Sequence, residues 1–475
     1  MDRGKAFGLA TATLVVMVAW LLLASRNSTR CRDPGKPGGF RIGKYDLFGG
    51  WKRGRVERRG FFHLAERGGV WWLVDPLGCL FISKGVNHVD PRGDYSPPLG
   101  YSPYQVNVEK RHGDFDGWLE ATVARLKSWG FNTVGAWSYG ELSLHMPYTV
   151  ILNFMASYGF NWVTGEVPDV FDPEFEHHAR RIAERECAPR AGDPLLIGYF
   201  LDNELRWGPD WRSRSHLLDD FMRLPPASPG KSAAVNVLLE VFDNDLEKLG
   251  GELGVELGST RDLLEYTGGL PAGNSFDEAR REFLRQLAER YFNVTVSAVR
   301  ECDPNHLVLG VRFAGLPIEV LEVAGRYVDV VTVNLYTLEP PIEALEYIHR
   351  VTGRPVMITE FSFKALDSGL PNTRGAGQPV GTQRERAYLA ANYVLKAVEL
   401  PYVIGYHWFQ YSDQPREGRF DGENSNFGLV RIDDEPWELL TRVFTLVNSR
   451  VEEVHAGSLK AGEVLKEVEE LVKRE

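Results

Sequence analysis

Eight short apolar runs, separated by segments of helical periodicity, are the feature of this sequence that most limits its possible folds. Each run is rich in β-branched or aromatic residues and almost continuously apolar, which is typical of parallel strands covered on both faces. The runs cover residues 79–87, 131–137, 148–155, 195–204, 306–313, 328–336, 355–361 and 403–411. Eight strands with intervening helices predict an α/β fold, a (β/α)8 TIM barrel. A doubly wound sheet is the alternative, but no G-x-G-x-x-G motif follows an early strand.

The segments around and between these runs complete the predicted domain, which extends over residues 43–450. Helical patterns cover residues 115–130, 173–187, 275–302 and 384–400. Two β-like stretches that flank Gly68 and Gly69 predict an N-terminal β-hairpin before the first barrel strand. Residues 209–274 interrupt the connection after the fourth run and predict a helical insertion over the active face. Residues 451–475 predict a C-terminal amphipathic helix.

The first 25 residues predict an N-terminal transmembrane helix that anchors the chain in a membrane. Residues 6–25 carry no charge, and a helix of about 20 residues matches the ~30 Å hydrocarbon thickness of a bilayer. A cleaved signal peptide is the alternative. A Pro/Gly-rich linker follows at 26–42. The N-x-[ST] patterns at Asn27 and Asn293 favour an extracellular catalytic domain, whereas the basic residues on both sides of the apolar segment leave its orientation open.

Composition excludes several classes of function. The chain carries 54 basic and 65 acidic residues, a net charge of −11, so its field repels polyanions and no nucleic-acid partner is expected. The four cysteines are scattered and form no C-x-x-C pair, and the histidines lack ligand spacing, so no metal site is expected. No G-x-S-x-G nucleophile motif is present. The scarcity of glutamine beside abundant Glu and Arg is typical of thermophilic proteins.

Two glutamates lie where a barrel places its catalytic groups. Glu204 ends the fourth run and Glu360 ends the seventh, and the C-terminal ends of barrel strands form the active face. Hydrolysis of a glycoside with retention needs two carboxyl groups about 5–5.5 Å apart, one as nucleophile and one as acid/base. We expect the acid to have a raised pKa and the nucleophile to be kept ionised by hydrogen bonds. Unrelated ion-pair partners at the rim are the alternative.

Other side chains at the same strand ends are candidates for substrate contact. Asn203 could hold a sugar hydroxyl, Tyr336 could donate to the nucleophile, and Arg312 could favour its ionisation. Aromatic faces suited to sugar rings and further polar strand-end groups extend the set to Trp137, Trp207, Trp408, Asn87, His88 and Asn334. After the eighth run, Asp413 and Glu423 could bind hydroxyls or be solvated charges, and we expect solvation for Arg416 and Arg419.

Four segments carry a family resemblance: WWLVDPLGCLFISKGVN (71–87), RLKSWGFNTVGAW (125–137), GYFLDNELRWG (198–208) and MITEFSF (357–363). Together they resemble the clan A retaining glycoside hydrolases, most closely family 50, the β-agarase family, over residues 60–445. The resemblance implies that Glu204 is the acid/base, that Glu360 is the nucleophile and that no cofactor is needed. It also implies that Asn203, Tyr336 and Trp408 occupy the sugar subsite next to the cleaved bond.

The expected function is therefore hydrolysis of a β-linked polysaccharide or glycoconjugate by a two-glutamate, retaining mechanism. Another clan A specificity, such as that of a β-glucanase, β-mannanase or β-galactosidase, is an alternative. A barrel that binds glycan at the cell surface without cutting it is another. The sequence leaves the sugar, the linkage, endo or exo action and the oligomeric state open.

Overall fold

The computed structural model describes residues 43–474, which begin with a four-stranded antiparallel sheet. Its strands are β1 (Trp51–Arg55), β2 (His63–Arg67), β3 (Val70–Val74) and β4 (Cys79–Phe81), in the order β1-β4-β3-β2. The predicted hairpin is β2–β3, and it turns at Gly68 and Gly69, whose φ angles of 62° and 79° are in the region that glycine adopts without strain. The sheet therefore contains the predicted hairpin and two further strands.

A parallel eight-stranded sheet follows. Its eight strands are β5 (Ser83–Val86), β6 (Thr133–Val134), β7 (Tyr148–Ile151), β8 (Leu196–Phe200), β9 (Leu307–Val308), β10 (Val331–Asn334), β11 (Val356–Phe361) and β14 (Val403–Trp408). Between β11 and β14 in the chain, β12 (Phe363–Ala365) and β13 (Gln378–Val380) form a separate two-stranded sheet. The strand order is β10-β11-β14-β5-β6-β7-β8-β9, and a parallel bridge between Phe313 and Val333 joins the two edges. Each predicted run contains one strand of this sheet, and the first run also contains β4 of the antiparallel sheet. The α/β architecture fits the predicted (β/α)8 barrel.

Alternation along these strands explains why the runs are apolar on both faces. Ile197, Met357 and Ile404 belong to one buried cluster inside the sheet, whereas their strand neighbours Leu196 and Ile358 belong to a larger cluster shared with the helices. Successive side chains of a strand point to opposite faces, so a strand with a core on each side must be apolar at both parities. The continuous apolar pattern is the consequence.

The helices alternate with these strands and cover the outside of the sheet. They are α1 (Pro103–His112), α2 (Phe115–Ser128), α3 (Pro173–Glu186), α4 (Leu217–Phe221), α5 (Pro229–Val241), α6 (Leu246–Leu253), α7 (Thr260–Glu265), α8 (Asn274–Cys302), α9 (Ile318–Tyr327), α10 (Ile342–Thr352), α11 (Gln383–Val398), α12 (Glu438–Asn448), α13 (Val451–His455) and α14 (Ala461–Arg474). Helices α4 to α7 lie in the predicted insertion. Helix α14 buries Ala461, Val464 and Val468 on one face, the spacing of an amphipathic helix.

The predicted membrane helix at 6–25 and the linker at 26–42 lie outside the described residues. Between residues 43 and 474, no helix combines the length and the apolar character needed to cross a membrane.

Candidate active site

The C-terminal ends of the barrel strands open into a cleft of about 780 Å³. Both predicted catalytic residues line it, Glu204 in the loop that follows β8 and Glu360 within β11. The other predicted site residues on its wall are His88, Trp137, Asn203, Asn334 and Tyr336. The fold therefore brings together residues that lie far apart in the chain, as strand ends in a barrel do.

The backbone at Glu204 turns sharply into the cleft. Its φ angle is 48°, an uncommon conformation for a residue other than glycine, and its N–H donates to the carbonyl of Arg312 at 3.3 Å. Two neutral donors hold the nearly buried carboxyl group: Asn334 Nδ2 lies 3.0 Å from Oε1, and Trp162 Nε1 lies 3.2 Å from Oε2. Glu204 thus has a fixed orientation and no cation in hydrogen-bond contact with its carboxyl group among the described residues.

Glu360 has a different environment. Arg312 Nη2 donates to Oε1 at 2.7 Å, and the hydroxyl of Tyr336 donates to Oε2. Burial raises the pKa of Glu360 to about 7, against the opposing effect of Arg312, while the charge of Glu204 adds to the increase. The charge of Arg312 and the hydrogen bond from Tyr336 lower the pKa of Glu360 by less than burial raises it. Hydrogen bonds were predicted to keep the nucleophile ionised, whereas burial outweighs them here and raises the pKa of Glu360.

Asn334 connects the two glutamates. Its Nδ2 donates both to Glu204 and to Asn203 Oδ1, the second at 3.1 Å. Its Oδ1 accepts from the hydroxyl of Thr359 at 2.8 Å, one residue before Glu360 on β11. Because both sides of the amide are occupied, its orientation is fixed, and the amide keeps Glu204 and Asn203 in register with β11.

Arg312 supports Glu360 from behind the cleft wall. Its side chain is fully buried, and its guanidinium lies 4.4 Å from the ring centre of Trp137. Nη2 also donates to the carbonyl of Thr359 at 3.0 Å. Arg312 was predicted to favour the ionised form of Glu360, and its charge, in direct hydrogen-bond contact with that carboxyl group, lowers the pKa of Glu360. Arg312 is not part of the cleft lining, however, and its predicted contact with substrate stays a prediction.

Three further residues that were predicted to contact substrate, Trp408, Trp207 and Asn87, do not line the cleft. Trp408 is fully buried, and its Nε1 donates to the carbonyl of Phe427 at 2.8 Å. Its side chain points toward the helices, and the next residue along the strand, Phe409, lines the cleft instead.

The other two have structural roles. Trp207 is 7% exposed and stacks on Phe292 with ring centres 6.1 Å apart. Asn87 donates to the carbonyl of Thr359 at 2.8 Å and accepts from the N–H of Ala136 at 3.0 Å, so its amide ties β5 to its neighbours inside the barrel.

Several cleft residues lie on loops and were not among the predicted site residues. Phe160 and Trp162 follow β7, and the aromatic segment YGFNW (158–162) is the signal that could have indicated them. Arg419 also lines the cleft and pairs with Glu423 at 2.9 Å, so its predicted solvation is wrong. Arg416 is exposed, as predicted. Asp413 is buried and accepts from Trp437 Nε1 at 2.9 Å, which makes it a loop-packing residue.

A barrel whose strand ends bring two buried glutamates to one aromatic-walled cleft defines the glycoside hydrolase class of site. Comparison with known proteins agrees. Beta-agarase B of Vibrio sp. (strain JT0107) is 27% identical over 486 residues, which cover 85% of this chain and 50% of that protein. Beta-agarase A of the same strain is 28% identical over 446 residues, covering 78% of this chain and 44% of that protein. The chain spans about half the length of these curated relatives.

Solved structures that superpose on this chain also include agarases. An exo-beta-agarase superposes with a TM-score of 0.78 at 24% identity, covering 88% of this chain and 69% of that one. The agarase AgWH50C superposes with a TM-score of 0.76 at 27% identity, covering 87% and 68%. No family model matches the chain. Sequence and structure together confirm the predicted resemblance: the chain is similar to the family 50 glycoside hydrolases, the β-agarase family.

Proposed function

We propose that the chain hydrolyses a neutral, β-linked galactan of the agarose type with retention of configuration. The observation that carries the proposal is that Glu204 and Glu360 share one cleft but have different partners. A cation and a phenol contact Glu360, and two neutral N–H groups contact Glu204. Different environments assign different roles to two carboxyl groups in one site.

In the first step, an ionised oxygen of Glu360 attacks the anomeric carbon while Glu204 gives its proton to the departing glycosidic oxygen. The contacts of Arg312 and Tyr336 stabilise the attacking carboxylate and aim it at the substrate. In the second step, Glu204 removes a proton from water, which attacks the same carbon and releases Glu360. Esterification of Glu360 removes its negative charge, and the buried guanidinium of Arg312 stays beside the ester.

The lining of the cleft supports a neutral polysaccharide as substrate. Aromatic side chains that can stack on sugar rings include Trp137, Phe160, Trp162 and Phe409. Five carboxyl groups and one guanidinium line the cleft, so a sulfated or uronate-rich chain would meet charge repulsion. A second cavity of about 600 Å³ shares Trp211 and Ala314 with the cleft, which leaves room for several linked sugars. The agarases among the relatives support agarose.

The experiment that tests the mechanism compares Glu360→Ala and Glu204→Ala on an aryl β-galactoside. Each variant should lose about 10³-fold or more in turnover on agarose. Added azide should rescue Glu360→Ala and give a glycosyl azide of inverted configuration, and it should rescue Glu204→Ala with retained configuration. Asp421→Asn, which changes another carboxyl group of the cleft, is the control. Full activity in Glu360→Ala would contradict the mechanism.

Product analysis on agarose and on a sulfated galactan tests the substrate separately. We expect oligosaccharides from agarose and none from the sulfated chain. Cleavage of the aryl galactoside without cleavage of agarose would leave the mechanism standing and contradict the polysaccharide assignment.

A further inference from the structure

Two carboxyl groups and a thiol meet at the N-terminal sheet, apart from the cleft. They belong to Asp46, on the segment before β1, and to Asp75 and Cys79, at the turn from β3 to β4. One ligand atom from each lies within 4.8 Å of the other two. Asp75 and Cys79 are fully buried, and none of the three residues lines the cleft.

Each carboxyl group has one oxygen held by the backbone and one left over. Asp46 Oδ1 accepts from the N–H groups of Phe48 and Gly50, both at 2.9 Å. Asp75 Oδ1 accepts from the N–H groups of Leu77 and Cys79, at 2.9 and 3.0 Å. The Oδ2 atoms are both buried and have no hydrogen-bond donor within residues 43–474. The held oxygens fix both carboxyl groups, so the free oxygens face the cluster.

Electrostatics requires a positive charge or a proton at this point. No Lys, Arg or His side chain of the described range forms an ion pair with either Asp46 or Asp75. Two facing carboxylate oxygens cannot donate to each other, and unpaired buried charge is strongly unfavourable. A cation between the carboxylates and the thiolate would remove this cost.

We propose that Asp46, Asp75 and Cys79 form a structural site for one zinc-like divalent cation. A thiolate with two carboxylate oxygens suits Zn²⁺, whereas Ca²⁺ and Mg²⁺ prefer oxygen ligands alone. Binding replaces the proton of the Cys79 thiol with a metal–sulfur bond and releases that proton to solvent. Ligand atoms around a tetrahedral Zn²⁺ are about 3.3–3.8 Å apart. Because the three ligand atoms lie within 4.8 Å of one another, they need to move closer by at most about 1.5 Å to close the site. A water molecule takes the fourth position.

Gly50 forms one wall of the site. A Cβ atom at this position would lie 1.8 Å from Asp75 Oδ2 and 2.8 Å from the Cβ atom of Cys79. Only glycine therefore allows the backbone before β1 to approach the free oxygen. With a cation bound, this segment is tied to the turn between β3 and β4 by metal bonds as well as by the pairing of β1 with β4.

The experiment uses the purified full chain, equilibrated with Zn²⁺ or Co²⁺ and freed of excess metal. We expect about one ion per chain by elemental analysis, and for Co²⁺ a near-ultraviolet thiolate charge-transfer band with the visible bands of a tetrahedral ion. Cys79→Ser should abolish the charge-transfer band, and the control Cys187→Ser, at another buried cysteine, should keep it. Circular dichroism verifies that both variants are folded.

A second variant covers the case in which Cys79→Ser does not fold. Asp46 is partly exposed, and Asp46→Asn should weaken cobalt binding about tenfold or more while the protein remains folded. Wild-type protein that takes up neither ion would overturn the proposal and leave a proton shared by the two carboxyl groups. A charge-transfer band that persists unchanged in Cys79→Ser would also overturn it.

Discussion

The guanidinium of Arg312 donates a 2.7 Å hydrogen bond to Oε1 of Glu360, and both side chains are buried beneath the cleft. The same arginine accepts, through its backbone carbonyl, the N–H of Glu204 at 3.3 Å. Arg312, which follows β9 in the chain, therefore contacts the carboxyl group of Glu360 and holds the backbone of Glu204. The activity of the pair should follow the balance between burial and this cation.

The first prediction concerns pH. In the proposed mechanism Glu360 is the nucleophile and must be deprotonated, and burial raises its pKa to about 7. The value of kcat/KM on agarose should therefore rise with pH up to about 7 and fall about tenfold for each pH unit below it. The measurement is kcat/KM from pH 4 to 9 with a neutral substrate. Undiminished activity at pH 5 would show that Arg312 and Tyr336 outweigh burial.

The second prediction is that Tyr336→Phe moves the acidic limb of this profile upward by about 1–2 pH units. The hydroxyl of Tyr336 donates to Glu360, and a hydrogen bond to a charged group contributes about 1.5–3 kcal/mol, or about 1–2 pKa units. Tyr393→Phe is the control, because that hydroxyl donates to the carbonyl of Leu335. Lower turnover with an unchanged acidic limb would indicate that Tyr336 only positions substrate.

Much of the fold could be predicted because its signals are local. The runs that contain β8 and β11 are apolar at both parities because each strand has a core on both faces. Helix α2 begins after Asp114, whose side chain accepts from the N–H of Gly117, and this cap is visible in the sequence. The first run is a partial exception, because Cys79–Phe81 joins the antiparallel sheet and only Ser83–Val86 enters the barrel.

Side-chain direction at the strand ends was harder to predict. Glu204, Tyr336 and Glu360 line one cleft because the barrel places their strand ends on the same rim. This much follows from the fold, without knowledge of how each side chain points. The choice between Trp408 and Phe409 depends on the parity of one residue in a strand buried on both faces, which an apolar pattern does not reveal. Trp162 reaches Glu204 from a loop, and loop conformation has no periodic signal in the sequence.

The third prediction separates Trp137 from Trp408. Trp137 is 36% exposed in the cleft, so Trp137→Ala should raise KM on agarose about 3–10-fold through lost stacking. Trp408→Phe removes a buried hydrogen bond to Phe427 and leaves a cavity, so it should lower Tm while KM stays near the wild-type value. Steady-state kinetics and thermal unfolding of both variants are the measurements. A large rise in KM for Trp408→Phe would return that residue to the substrate site.

The fourth prediction concerns Asp202, a fully buried carboxyl group two residues before Glu204. It accepts from the N–H groups of Met155 and Ala156, at 3.0 and 3.1 Å, and from the hydroxyl of Tyr291 at 2.6 Å. In Asp202→Asn, the amide would direct N–H groups at one of these donors, which should lower the free energy of unfolding by about 1–3 kcal/mol.

Tyr291→Phe is the matched control for this change. It removes one donor and leaves the carboxyl group its two backbone bonds, so its cost should be about 0.5–1.5 kcal/mol. Because Met155 and Ala156 begin the loop that carries Trp162 to Glu204, Asp202→Asn should also lower kcat, whereas Tyr291→Phe should change it less. Denaturant unfolding gives the first quantity and steady-state kinetics the second. Wild-type stability in Asp202→Asn would mean that the loop holds its position without this carboxylate. Asp202 would then have no energetic coupling to Glu204 through the loop.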